Sequence, residues 1–112
     1  MKLFFLDLTQ IIKQFLHRTY GFNAEDFTTY ETLYDLRRRE TEAALLNNME
    51  FLFNTADLVK FAKFIPDAAV LDEVSGKLDH TIGIYKKRAA LLEQESMKVQ
   101  EQVQVQDQEK AS

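Results

Sequence analysis

The chain has 112 residues, 46% of them hydrophobic, with nine Phe, four Tyr, no Trp, no Cys and a formal charge of −4. That length suits one domain around a single core, and the absence of Cys excludes disulfides, thiolate chemistry and Cys-based zinc sites. Three Gly and one Pro leave few places for the tight turns of an all-β fold, and the negative balance offers little bulk attraction to nucleic acid or anionic lipid.

From Phe4 to Tyr20, the residues Phe4, Phe5, Leu8, Ile11, Ile12, Phe15 and Leu16 recur at helical intervals, and Gly21 stands where a C-terminal cap belongs. The apolar start, Met1 to Leu6, is interrupted by Asp7 before a signal-peptide core can form, and no apolar run reaches the roughly 20 residues of a bilayer span. The chain therefore reads as soluble. Phe22 to Phe27 is a short connection, and Thr28-Thr29-Tyr30-Glu31 matches the capping box that opens a second helix, expected to run to about Arg38 with Tyr30, Leu33, Tyr34 and Leu36 on its apolar side.

Arg37 to Glu42 reads as a polar hinge. Beyond it, Ala44, Leu45, Met49, Leu52, Ala56, Val59 and Ala62 sustain steps of three or four, predicting a third helix that Pro66 ends near Phe64. Asn54 and Thr55 can bend it by competing for backbone hydrogen bonds. Phe51, Phe53, Phe61 and Phe64 lie on several sides of this helix, so it must be central to the domain or covered by a partner. In its last turns Leu58, Val59, Ala62 and Ile65 fall on the core side, while Asp57, Lys60 and Lys63 fall elsewhere.

Asp67 is placed to cap a fourth helix, in which Leu71, Val74, Leu78, Ile82, Tyr85, Ala89 and Leu92 form a stripe reaching about Glu95, with Gly76 and Gly83 as weak points. From Glu93 onward five acids face two lysines, a net of −3; the Val/Gln alternation after Ser96 has the look of a strand, but a single thin apolar stripe with nothing local to pair with predicts a frayed or disordered tail. The expected architecture is an all-α, four-helix bundle-like domain over residues 1–95 with a Gln/Glu-rich tail over 96–112.

Sites for chemistry are sparse. His17 and His80 lack a second imidazole three or four residues away, so no helical metal site forms around them. The acids cluster at helix starts, where they suit the dipole, and the glycines are isolated, so no phosphate loop is present. No catalytic residue, metal or cofactor is called for. Arg37-Arg38-Arg39 and Lys86-Lys87-Arg88 are the basic clusters, and they support a second reading as a helical nucleic-acid-binding regulator. A helix-turn-helix use of the second helix is weakened by Asp26 and Glu31 at the end that normally enters the groove. An enzyme would require His17 or His80 to meet a carboxylate in a polar cleft.

The order of Tyr20-Gly21-Phe22, Thr28-Thr29-x-Glu31, Ala56-Asp57-Leu58-Val59-Lys60-Phe61-Ala62-Lys63 and a proline soon after resembles a cytosolic helical domain of membrane-anchored proteins from bacterial aerotolerance (Bat) operons, over about residues 4–92. Such proteins occur alongside von Willebrand A-domain proteins and MoxR-type ATPases. The resemblance implies a non-enzymatic stress or assembly protein on the cytosolic face of the inner membrane, with one of those proteins as partner and an anchor upstream of this segment. It brings no catalytic residues. The expected partner-facing residues are Lys60, Phe61 and Lys63, with Asp57 capping or pairing locally.

Overall fold

The computed structural model describes the backbone of residues 1–111 and the side chains of residues 1–97. The fold is all-α: among the described residues there are four α-helices, one 3-10 turn and no strand. The chain divides into two compact units, Met1–Asp79 and His80–Ser112. The flexible tail expected over residues 96–112 lies, apart from Ser96 and Met97, outside the residues described with side chains.

In the first unit, α1 (Lys2–Tyr20) buries Phe5, Leu8, Thr9, Ile12 and Leu16, one stripe at steps of three and four. Thr9 is tolerated there because its hydroxyl donates to the Phe5 carbonyl at 2.9 Å, leaving no unmet polar group. Gly21 ends the helix in the left-handed region at φ 83°, and its N–H returns to the His17 carbonyl at 2.9 Å. A 3-10 turn, Ala24–Asp26, follows and packs against α1. The Lys13 ammonium donates to the Phe27 carbonyl at 2.8 Å, fastening this connection back onto the helix.

The capping box forms as expected: the Thr28 hydroxyl accepts the Glu31 N–H, and the Glu31 carboxylate accepts the Thr28 N–H. It opens α2 (Thr29–Arg39), whose buried residues are Thr32, Leu33 and Leu36. The expected apolar side was partly wrong. Tyr30 and Tyr34 point outward, stacked on each other at 6.4 Å between ring centres, with the Arg38 guanidinium over Tyr34. Thr32 takes the core position in their place, since its hydroxyl donates to the Thr28 carbonyl at 2.8 Å and needs no solvent.

Helix α3 (Ala43–Phe61) is the centre of this unit, with α1 and α2 both packed on it. It runs unbroken through Asn54 and Thr55, and Thr55 is buried. Two packed faces explain why its apolar residues surround the helix: Leu45, Met49, Leu52, Phe53, Ala56 and Val59 are all buried. The α2–α3 connection is organised by Glu40. Its buried carboxylate accepts the backbone N–H groups of Thr41 at 2.9 Å and Glu42 at 2.8 Å, and the Tyr20 hydroxyl at 2.8 Å. One acid thus joins the ends of α1 and α2 to the start of α3.

Asp67 caps α4 (Ala68–Ala111), its carboxylate accepting the Val70 N–H at 2.9 Å. Within the first unit, Val74 is buried and the Lys77 ammonium lies 5.2 Å from the centre of the Phe51 ring. In the second unit Thr81 is buried, while Ile82, Ala89, Leu91, Leu92 and Met97 are exposed, so the expected stripe is only partly covered within the described residues. No helix of the described residues is long and apolar enough to cross a membrane.

Candidate functional site

The end of α3 departs from expectation. The helix stops at Phe61, three residues before the predicted end, because Lys63 adopts φ 54° and turns the chain. That left-handed residue lets the Phe64 N–H reach back to the Leu58 carbonyl at 3.2 Å, an acceptor already holding the Ala62 N–H at 3.0 Å. Pro66, buried and expected to end the helix near Phe64, lies beyond a helix that has already stopped at Phe61.

This early stop redistributes the side chains. Val59 goes into the core, but Leu58, Ala62 and Ile65, expected beside it, are exposed, Ile65 at 82%. Phe61 is 79% exposed and Phe64 also reaches solvent, whereas Phe53 is buried. Leu58, Phe61, Phe64 and Ile65 are thus exposed apolar residues close together in the chain at the helix end, with the Phe64 N–H returned to the Leu58 carbonyl. Large aromatic rings left in water without a structural task mark contact surfaces more often than isolated exposed aliphatic groups do.

Asp57, Lys60 and Phe61 share the adjoining face of α3, at spacings of three and four. The Lys60 ammonium lies 3.6 Å from an Asp57 carboxylate oxygen and 5.4 Å from the centre of the Phe61 ring. Its side chain is only 12% exposed, most of its length being covered by the fold. Lys63 is exposed, and its backbone forms the turn itself.

A further residue belongs here that the sequence did not point to. Lys13 of α1 is half-buried, and its pKa is lowered from the ordinary 10.5 by burial first and then by repulsion from Lys60, with Asp57 opposing the shift. The Lys13 ammonium itself donates to the Phe27 carbonyl, and the ion pair with Asp57 is made by Lys60. No local pattern in the chain could have flagged Lys13, since its proximity to Lys60 exists only once α1 packs on α3.

The arginine cluster is engaged within the fold. Arg37 pairs with Glu50 at 3.1 Å, Arg38 lies 3.8 Å from Asp35, and Arg39 donates to the Tyr20 carbonyl at 3.2 Å while covering the Phe22 ring at 5.3 Å. Arg37 and Arg38 nonetheless keep side chains that are half or more exposed. In the second unit, Lys86 and Lys87 are exposed and Arg88 lies over Tyr85 at 5.6 Å. His17 and His80 are both exposed, and among the described residues no group of His, Asp and Glu is arranged as a metal site.

No protein-family model, curated protein or solved structure matches the chain.

Proposed function

We propose that this protein is an interaction module that captures a protein partner on the C-terminal end of α3, through Phe61, Lys60 and Lys63. The observation that carries this is Phe61, 79% exposed at the end of a helix that α1 and α2 pack on, with the Lys60 ammonium 5.4 Å from its ring centre. Aromatic side chains are enriched in protein–protein interfaces, so an exposed Phe ring suits a contact position. Asp57 acts locally, holding Lys60 in place.

The resemblance of the Ala56 to Lys63 segment to the Bat-type cytosolic domain extends this reading. It suggests a stress or aerotolerance role at the cytosolic face of a bacterial membrane, with a MoxR-type ATPase or von Willebrand A-domain protein as the partner to test first.

The test is site-specific photocrosslinking in cells with Phe61→p-benzoylphenylalanine. A discrete adduct is expected, reduced by adding Lys60→Gln and Lys63→Gln, while the same probe at exposed Gln10 gives none. Phe61→Ala should leave thermal stability within about 0.5 kcal/mol of wild type, because the ring is exposed. Absence of any adduct specific to position 61 refutes the assignment.

A further inference from the structure

We propose that the chain pairs with a second copy of itself through α4, the two helices running antiparallel about a two-fold axis that passes between Ala90 and Leu91. This interface uses a different helix from the partner contact at Phe61 and does not depend on it.

The second unit begins at His80 and contains no element but α4 among the described residues, so nothing within it can cover an apolar stripe. Such a stripe is present. Ile82, Tyr85, Ala89, Leu92 and Ser96 follow one another at alternating steps of three and four, the spacing of coiled-coil seam positions. Ile82 is 44% and Leu92 64% exposed, Ala89 and Ser96 also face solvent, and Tyr85 is half-buried.

The charges beside this stripe are sorted by sign along the helix. Lys86 and Glu93 border one side of it and Arg88 and Glu95 the other, with both cations in the earlier half and both acids in the later half. Lys86, Arg88 and Glu93 have no opposite charge three or four residues away on their own helix, so the local pairing that joins Lys60 to Asp57 is not open to them. An antiparallel copy lays the basic half over the acidic half. It sets Lys86 against Glu93 of the other copy and Arg88 against Glu95 of the other copy, each twice because the contact is isologous.

Side-chain size selects the same orientation. The antiparallel register opposes Ala89 to Leu92 of the other copy and Tyr85 to Ser96 of the other copy, a large residue against a small one in every layer. A parallel pair would oppose each residue to itself, crowding Tyr85 on Tyr85 and leaving a gap between two Ala89 methyls. It would also keep only one kind of ion pair, Arg88 with Glu93, and set Lys86 beside Thr81. A DNA duplex or an anionic bilayer suits this face poorly, because Glu93 and Glu95 would meet its negative charge. The seam from Tyr85 to Ser96 is only about three turns long, so the dimer should form in a concentration-dependent way.

Sedimentation velocity of the full chain over rising concentration tests the pairing, with a monomer–dimer equilibrium expected. Lys86→Glu with Arg88→Glu should weaken the dimer about tenfold or more, and Glu93→Lys with Glu95→Lys should do the same. All four changes together reverse the polarity and should restore the dimer to within about threefold of wild type. Because the chain has no Cys, a short bis-maleimide reads the orientation. Tyr85→Cys chains should be joined to Ser96→Cys chains, whereas Ser96→Cys alone should give no product, its two copies standing about 16 Å apart along the axis.

A chain that stays monomeric overturns the proposal. So does a dimer indifferent to the charge changes, a Ser96→Cys homoadduct, or a fourfold variant that stays helical by circular dichroism but fails to pair. If the chain remains a monomer that binds phosphatidylglycerol vesicles or a DNA duplex, and Lys86→Glu with Arg88→Glu releases them, the face belongs to that anion and the self-pairing falls.

Discussion

Lys63 shows how one backbone angle shapes this surface. A non-glycine residue at φ 54° is uncommon, and left-handed backbone disfavours a side chain with a Cβ by about 1–2 kcal/mol. Lys63→Gly should therefore maintain or raise stability, whereas Lys63→Ile should lower it by about 1 kcal/mol or more, since a β-branched residue fits this region worst. Chemical denaturation of the two variants compares them directly. Against that cost the turn gains the hydrogen bond from the Phe64 N–H to the Leu58 carbonyl at 3.2 Å.

Lys13 supplies a second prediction at this scale. Its folded-state pKa is depressed, so between that value and 10.5 the unfolded chain binds more protons than the folded chain, and stability rises with pH. The penalty for a buried ammonium is fully present at neutral pH and is relieved as pH passes the lowered value toward 10.5. Urea midpoints measured from pH 8 to 10.5 should thus rise in wild type relative to Lys13→Met. Equal pH profiles would show that Lys13 is not held at the cost inferred from its surroundings.

At the scale of elements, the joint between α1, α2 and α3 depends on Glu40 more than on the surface ion pairs. Arg37 and Glu50 are each about half exposed, and pairs of that kind contribute only about 0–1 kcal/mol. Glu40 is buried and accepts from two backbone N–H groups and the Tyr20 hydroxyl. Glu40→Ala leaves those donors without their acceptor and should destabilise by about 1–3 kcal/mol. A double-mutant cycle with Tyr20→Phe should return a coupling of about 0.5–1.5 kcal/mol, because the two residues share one hydrogen bond. Zero coupling would remove Tyr20 from the joint.

Across the whole molecule, charge argues against nucleic acid as the main partner. The chain carries −4 overall, and Arg37 and Arg38 each stand beside an acid, Glu50 and Asp35, that offsets their charge. Fluorescence anisotropy with a DNA duplex should show weak binding, and the affinity should change little between 50 and 200 mM salt, where a protein holding 6–10 phosphates loses about 10³–10⁵. A steep salt dependence, lost on replacing Lys86 and Lys87, would instead support the regulator reading.

Local rules made much of the fold legible. The Gly21 cap, the Thr28–Glu31 box, the Asp67 cap and the apolar periodicity of α1 and α3 each act within one or two turns of chain, so four helices and an all-α class follow from the residues themselves. Neighbour packing decided the rest. Which of two adjacent apolar rows is buried depends on where another helix lies, and so Tyr30, Tyr34, Leu58 and Ile65 came out in solvent while Thr32 and Glu40 went inside. The same reason hid the candidate site's second lysine: Lys13 and Lys60 lie far apart along the chain, and only the packing of α1 on α3 brings their charges together.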